Sequence, residues 1–100
     1  MTTTLTSKVK VRNLISKSGR EIPNQFEIRV NGCKYFQSYN SIIVKIDENN
    51  QVYLDSYYWD YSNTTRKWLY NWLGGGLRKK DILARIKSGL YKTADLQQDY

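Results

Sequence analysis

The sequence predicts an α+β domain: an antiparallel sheet of about four or five strands, including two hairpins, followed by two helices packed on one face. Three observations carry that expectation. Apolar residues recur with period two through the first half of the chain, as in strands with one buried face. Asn31-Gly32 sits between two such stretches, the dipeptide best suited to a type I′ hairpin turn. From Tyr61 onward the apolar spacing becomes helical, and glycines at 74–76 and 89 stop each helical stretch. Strands first and helices second is the order of an α+β fold.

Taken in order, residues 1–7 show no pattern and are expected to be disordered. Val9 and Val11 alternate with Lys8, Lys10 and Arg12, which predicts a half-buried strand with a basic outer face. Ser18-Gly19 is a turn signal, and Pro23 is expected to precede the second strand. There Phe26, Ile28 and Val30 are expected inward and Gln25, Glu27 and Arg29 outward. A two-residue turn at Asn31-Gly32 sets Val30 opposite Cys33, Ile28 opposite Tyr35, and Phe26 opposite Gln37. It also sets Arg29 opposite Lys34, a like-charge pair that costs energy unless an anion sits beside it. Cys33 reads as a small buried apolar residue.

Ser41–Ile46 is a short β-branched run and so a third strand of this group. Asp47-Glu48-Asn49-Asn50 makes a polar turn, and Val52 and Leu54 return on one face with Tyr53 on the other. Ser62 is placed to cap the first helix, with Trp68, Leu69, Trp72 and Leu73 on its buried face. The second helix is expected from about Arg78 to Ser88, burying Ile82, Leu83 and Ile86. Leu90–Leu96 reads as a last short strand or an extended segment. One domain over residues 8–96 and a tail at 97–100 complete the division.

Composition narrows function. The 100 residues include one cysteine and no histidine. Histidine-based general bases, serine and cysteine triads, and the usual zinc and iron–sulfur ligand sets are therefore out of reach. No apolar run approaches the roughly 20 residues of a membrane helix, and no secretory leader is recognisable. The carboxylates that a metal-dependent nuclease would use, Asp47, Glu48, Asp55 and Asp60, lack the accompanying lysine spacing of such sites. The expectation is a non-enzymatic protein without a cofactor or metal.

Charge and aromatics point to binding. The net charge is +7, and the bases concentrate at both ends: five in residues 1–20 with no acid, and eight in residues 61–94 with Asp81 alone opposing. Such a field favours phosphate-rich or acidic partners. Of the 14 aromatic residues, seven fall between Tyr57 and Trp72. Exposed rings interleaved with bases are how single-stranded nucleic acids are held, a base stacking on each ring while Lys and Arg meet phosphates. The candidate contacts are Lys8, Lys10, Arg12, Tyr57, Tyr58, Arg66, Lys67, Tyr70, Arg78, Lys79, Lys80, Arg85 and Lys87. Gly74-Gly75-Gly76 before Arg78-Lys79-Lys80 suggests an anion-binding turn, but the spacing and context of a phosphate loop are not met, so a helix connector is the simpler reading.

The pattern Gly32-x-x-Tyr35-Phe36-x-Ser38-Tyr39-Asn40-Ser41-Ile42-Ile43, Val52-Tyr53-Leu54-Asp55 and Tyr58-Trp59-Asp60-Tyr61-Ser62-x-Thr64-Thr65 resembles a small domain of unknown function carried by bacteriophages and mobile elements, over residues 24–93. The resemblance implies an accessory role in the cytoplasm of a bacterial host and supplies no catalytic residues. Two functions follow as expectations: binding of nucleic acid or a nucleoprotein complex, and inhibition of a host defence protein in the manner of an anti-CRISPR protein.

Overall fold

A computed structural model describes residues 9–99. Six strands form one sheet in sequential order: β1 (Lys10–Ile15), β2 (Glu21–Val30), β3 (Cys33–Ser38), β4 (Ser41–Ile46), β5 (Val52–Asp55) and β6 (Tyr91–Ala94). Helices α1 (Asn63–Leu73) and α2 (Lys79–Ser88) lie between β5 and β6. The first five strands pair antiparallel through short turns, as expected. The sixth corrects the expected count and direction: β6 joins β5 in parallel, so the sheet is mixed. Two helices return the chain to the end of the sheet where β5 began, and a strand entering there runs alongside it.

The hairpin at Asn31-Gly32 has the expected register, with Val30, Ile28 and Phe26 opposite Cys33, Tyr35 and Gln37, and both turn residues have positive φ. Cys33, however, is half-buried rather than buried. Pro23 also departs from expectation by lying inside β2. It is tolerated because that end of β2 pairs only with β1, where the register is irregular and Asn24 has a φ of 63°.

The larger correction concerns which face of β2 meets the helices. Register places Glu27, Phe36, Val44 and Leu54 side by side across four strands, and Phe36, Val44 and Leu54 form the main core with Leu69, Leu77 and Ile82 of the helical layer. So Gln25 and Glu27, expected outward, are buried on the helix side. Ile28 faces the other way, where Ile42 and Leu96 form a second, smaller cluster. Val9 and Val11, expected inward, are exposed at the sheet edge, since nothing among the described residues packs over them.

The helices keep most of their expected pattern. Ser62 Oγ accepts from the Thr65 N–H at 3.1 Å, capping α1, and Gly89 ends α2 with a φ of 85°. Leu69 and Ile82 are fully buried, with Trp68, Trp72, Leu73 and Ile86 half-buried around the core. Leu83, expected in the α2 stripe, is exposed.

The last described residues belong to the packed unit. Leu96–Asp99 form a 3-10 turn, and the Gln97 side chain accepts from the Ile42 N–H at 2.9 Å and donates to the Ile42 carbonyl at 2.7 Å. Asp55 fastens this turn and the preceding one. One carboxylate oxygen accepts from the N–H groups of Tyr57 and Tyr58, and the other from Leu96 N–H and the Gln97 amide. No described helix is long and apolar enough to cross a membrane.

Candidate binding surface

The aromatic run forms a compact group because Asp55 turns the chain at the end of β5. Its carboxylate takes two successive N–H groups and starts the 3-10 turn Tyr58–Asp60. Trp59 points into the core, while Tyr57, Tyr58 and Tyr61 cluster with ring centroids 4.8–5.5 Å apart. Tyr57 and Tyr61 are each more than half exposed.

A fourth ring joins them from the β3–β4 turn. Tyr39 has a φ of 54°, a conformation costly for a bulky residue, and its ring is exposed. Its backbone is fixed on both sides: its N–H donates to the Asn24 carbonyl at 2.7 Å, and its carbonyl accepts from Gln37 Nε2 at 2.6 Å. Tyr39, Tyr58 and Tyr61 wall an open pocket of about 230 Å³, with Ser38, Ser41, Ile43, Ser62 and Thr65 completing its lining. Aromatic walls suit a flat ligand such as a nucleobase, while Ser38 Oγ and Thr65 Oγ1 pair with each other at 3.1 Å in the pocket lining. Tyr39 was outside the sequence-derived candidates; its position in a hairpin turn that ordinarily takes Asn or Gly was the signal available.

Asp60 ties this aromatic group to the bases. Its carboxylate accepts from Arg66 at 2.7 Å and from Lys79 Nζ at 3.0 Å, joining the turn to α1 and to the start of α2. The hydrogen bond from Lys79 holds its carboxyl below the ordinary range, partial burial opposes this, and Lys79 charge and Arg66 reinforce it. Tyr70 lies in the same field. Burial pushes its phenol up, and its hydroxyl is buried with no hydrogen-bond partner among the described residues.

The structure thus brings together Tyr57, Tyr58, Arg66, Tyr70 and Lys79, with the exposed Arg78 and Lys80 on either side of Lys79. It separates the rest. Lys67 lies over the Trp68 ring at 4.8 Å, Arg85 donates to the Tyr91 hydroxyl at 2.7 Å, and Lys87 is exposed near the far end of α2. Lys8 lies outside the described residues.

Lys10 and Arg12 stand elsewhere, on the helix-side face of β1. Arg12 Nε donates to Glu27 Oε2 at 3.1 Å, Arg29 Nε donates to the same oxygen at 2.9 Å, and Trp72 Nε1 donates to Oε1 at 3.0 Å. Burial raises the Glu27 carboxyl, but these three hydrogen bonds outweigh it and hold the group below its ordinary value. Glu27 therefore sits beside the Arg29–Lys34 cross-strand pair as its local anion.

The glycine connector, Asp81 and Asp47 have structural roles. The three glycines of 74–76 all have positive φ and connect the helices, and the Asp81 carboxylate accepts from the Arg78 N–H at 2.9 Å at the start of α2. Asp47 accepts from the N–H groups of Asn49 and Gln51 in its turn.

Comparison with known proteins identifies a family. Residues 9–88 match the model of a family of unknown function (DUF8033), and the chain belongs to that family. The match begins at β1 and includes the glycine connector. No curated protein and no solved structure matches the chain.

Proposed function

We propose that this DUF8033 member is a non-enzymatic binding protein that takes single-stranded nucleic acid, free or displayed on a nucleoprotein complex, on its tyrosine surface. The observation that carries this reading is the pocket walled by Tyr39, Tyr58 and Tyr61, joined through Asp60 to Arg66 and Lys79. Bases stack on exposed rings, and the exposed Arg78 and Lys80 meet the phosphates beside them. The acids available for catalysis support the same reading, since Asp55 and Asp60 are engaged in holding the turns and helices together. An accessory role in the bacterial cytoplasm, which the resemblance to phage domains implies, is part of this proposal.

A second reading has an observation of its own. Tyr39, Tyr57 and Tyr61 are exposed without being needed for the core, and Tyr and Arg are the residues that anchor protein interfaces. An inhibitor seated on a host defence nuclease would use this same surface.

Fluorescence anisotropy with labelled single- and double-stranded DNA and RNA, across a salt series, tests the two. The nucleic-acid reading expects preference for single strands and affinity that falls steeply with salt. Replacing Tyr57 and Tyr61 together by Ala should weaken binding at least tenfold, and Arg78→Gln with Lys80→Gln should flatten the salt dependence. Absence of binding at physiological salt overturns it, and capture of a host nuclease complex by the wild-type protein but not by the tyrosine variant would establish the second reading.

A further inference from the structure

We propose that Arg12 and Arg29, oriented by Glu27, form a phosphate-binding site at the β1–β2 edge, separate from the tyrosine pocket. Both arginines reach the Glu27 carboxylate through Nε, at 3.1 and 2.9 Å. Each guanidinium therefore keeps its two terminal NH₂ groups, in fixed planar geometry, for another acceptor. Glu27 is the one carboxylate paired with either arginine among the described residues. Its side chain is only 8% exposed, whereas those of Arg12 and Arg29 are 66% and 55% exposed. The acid is beneath and the two forks are above it.

The forks border an open cleft of about 390 Å³ lined by Lys10, Val11, Arg12, Glu27 and Arg29. Lys10, Arg29 and Lys34 lie in register across three adjacent strands, a row of like charges that a single carboxylate does not neutralise. The cleft lining carries three cations against one anion, so a dianion balances it. Phosphate matches better than a planar carboxylate, because its tetrahedral oxygens can meet two guanidinium forks and the neighbouring lysine together. The source is a terminal phosphate, whose dianion balances the site fully, or a backbone phosphodiester, which offers the same tetrahedral oxygens with a single negative charge.

The site is read by ¹H–¹⁵N NMR titration with inorganic phosphate and a nucleoside monophosphate, against chloride at matched ionic strength. Saturable shifts of the Arg12 and Arg29 Nε–H signals and the Trp72 indole N–H are expected, with affinity reduced at least fivefold in Arg12→Gln and in Arg29→Gln. Lys17→Gln, which removes an equal charge from the exposed β1–β2 loop, should leave the affinity unchanged. The same spectra report whether each variant is folded. With short oligonucleotides, a tenfold gain from a 5′-phosphate that Arg29→Gln erases assigns a terminal phosphate. No gain, with Arg29→Gln weakening both oligonucleotides, assigns the backbone. Absence of shifts at Arg12 and Arg29 in tens of millimolar phosphate, or equal weakening by Lys17→Gln, overturns the site. Inorganic phosphate has no ring to stack, so this result stands apart from the fate of the tyrosine reading.

Discussion

Glu27 and Asp60 each draw two cations to one carboxylate, and they serve opposite ends of α1: Asp60 precedes its first turn, while Glu27 accepts from Trp72 in its last. Their exposures differ. At Glu27 the acid is buried and both arginines reach solvent. At Asp60 the acid is 33% exposed and lies between its partners, Arg66 at 23% and Lys79 at 52%. An acid beneath its cations leaves both of them facing solvent, whereas a half-buried acid between two helices ties those helices together. The same residue types thus give a presented charge in one place and a structural tie in the other.

The largest expected effect breaks the Glu27 end of this comparison. Trp72 stacks on Phe36 with centroids 6.0 Å apart and supplies the Glu27 N–H donor. Trp72→Ala should cost about 3 kcal/mol in urea unfolding, at the lower end for aromatic truncation because the ring is half-buried. A comparison of the two acids comes next. Glu27→Ala leaves the indole N–H unpaired and the arginines uncompensated, and should cost about 2 kcal/mol. Asp60→Ala, screened by solvent, should cost below about 1 kcal/mol. Equal losses would show that burial does not separate the two sites.

Helix capping gives a similar but local effect. Ser62→Ala should destabilise by about 1 kcal/mol through loss of the hydrogen bond to the Thr65 N–H. The smallest effect concerns pH. Both carboxyls titrate below their ordinary range in the folded protein. Each therefore favours the folded state above the unfolded carboxylate's value, and that contribution disappears as pH falls through the depressed one. Urea midpoints should fall as pH drops below about 5. Glu27→Gln should flatten part of that slope, and an unchanged slope would assign it to other acids.

Much of this was legible in the chain. Period-two stretches, Asn31-Gly32, Ser62 and Gly89 act through neighbours a few residues away, so the hairpin register, the α1 cap and the α2 stop could be read directly. The tyrosine run and the basic groups were also visible as composition. Their grouping was not, because Tyr39 meets Tyr58 and Tyr61 across a pocket formed between a hairpin turn and the start of a helix.

What the sequence by itself determined is therefore local: strands, turns, helix ends, and an excess of positive charge and of tyrosine. Only the tertiary structure decided which face of β2 meets the helices. Alternation marks two faces without naming the core side, and the core side of β2 carries Glu27, a charge whose burial is stabilised by Arg29 on the same strand and by Arg12 and Trp72 from distant segments. It also decided that β6 runs parallel to β5, since direction depends on where two helices return the chain rather than on the four residues Tyr91–Ala94. The cost of a charge depends on its surroundings, and for Glu27 two of its three hydrogen-bond donors come from residues far away in sequence.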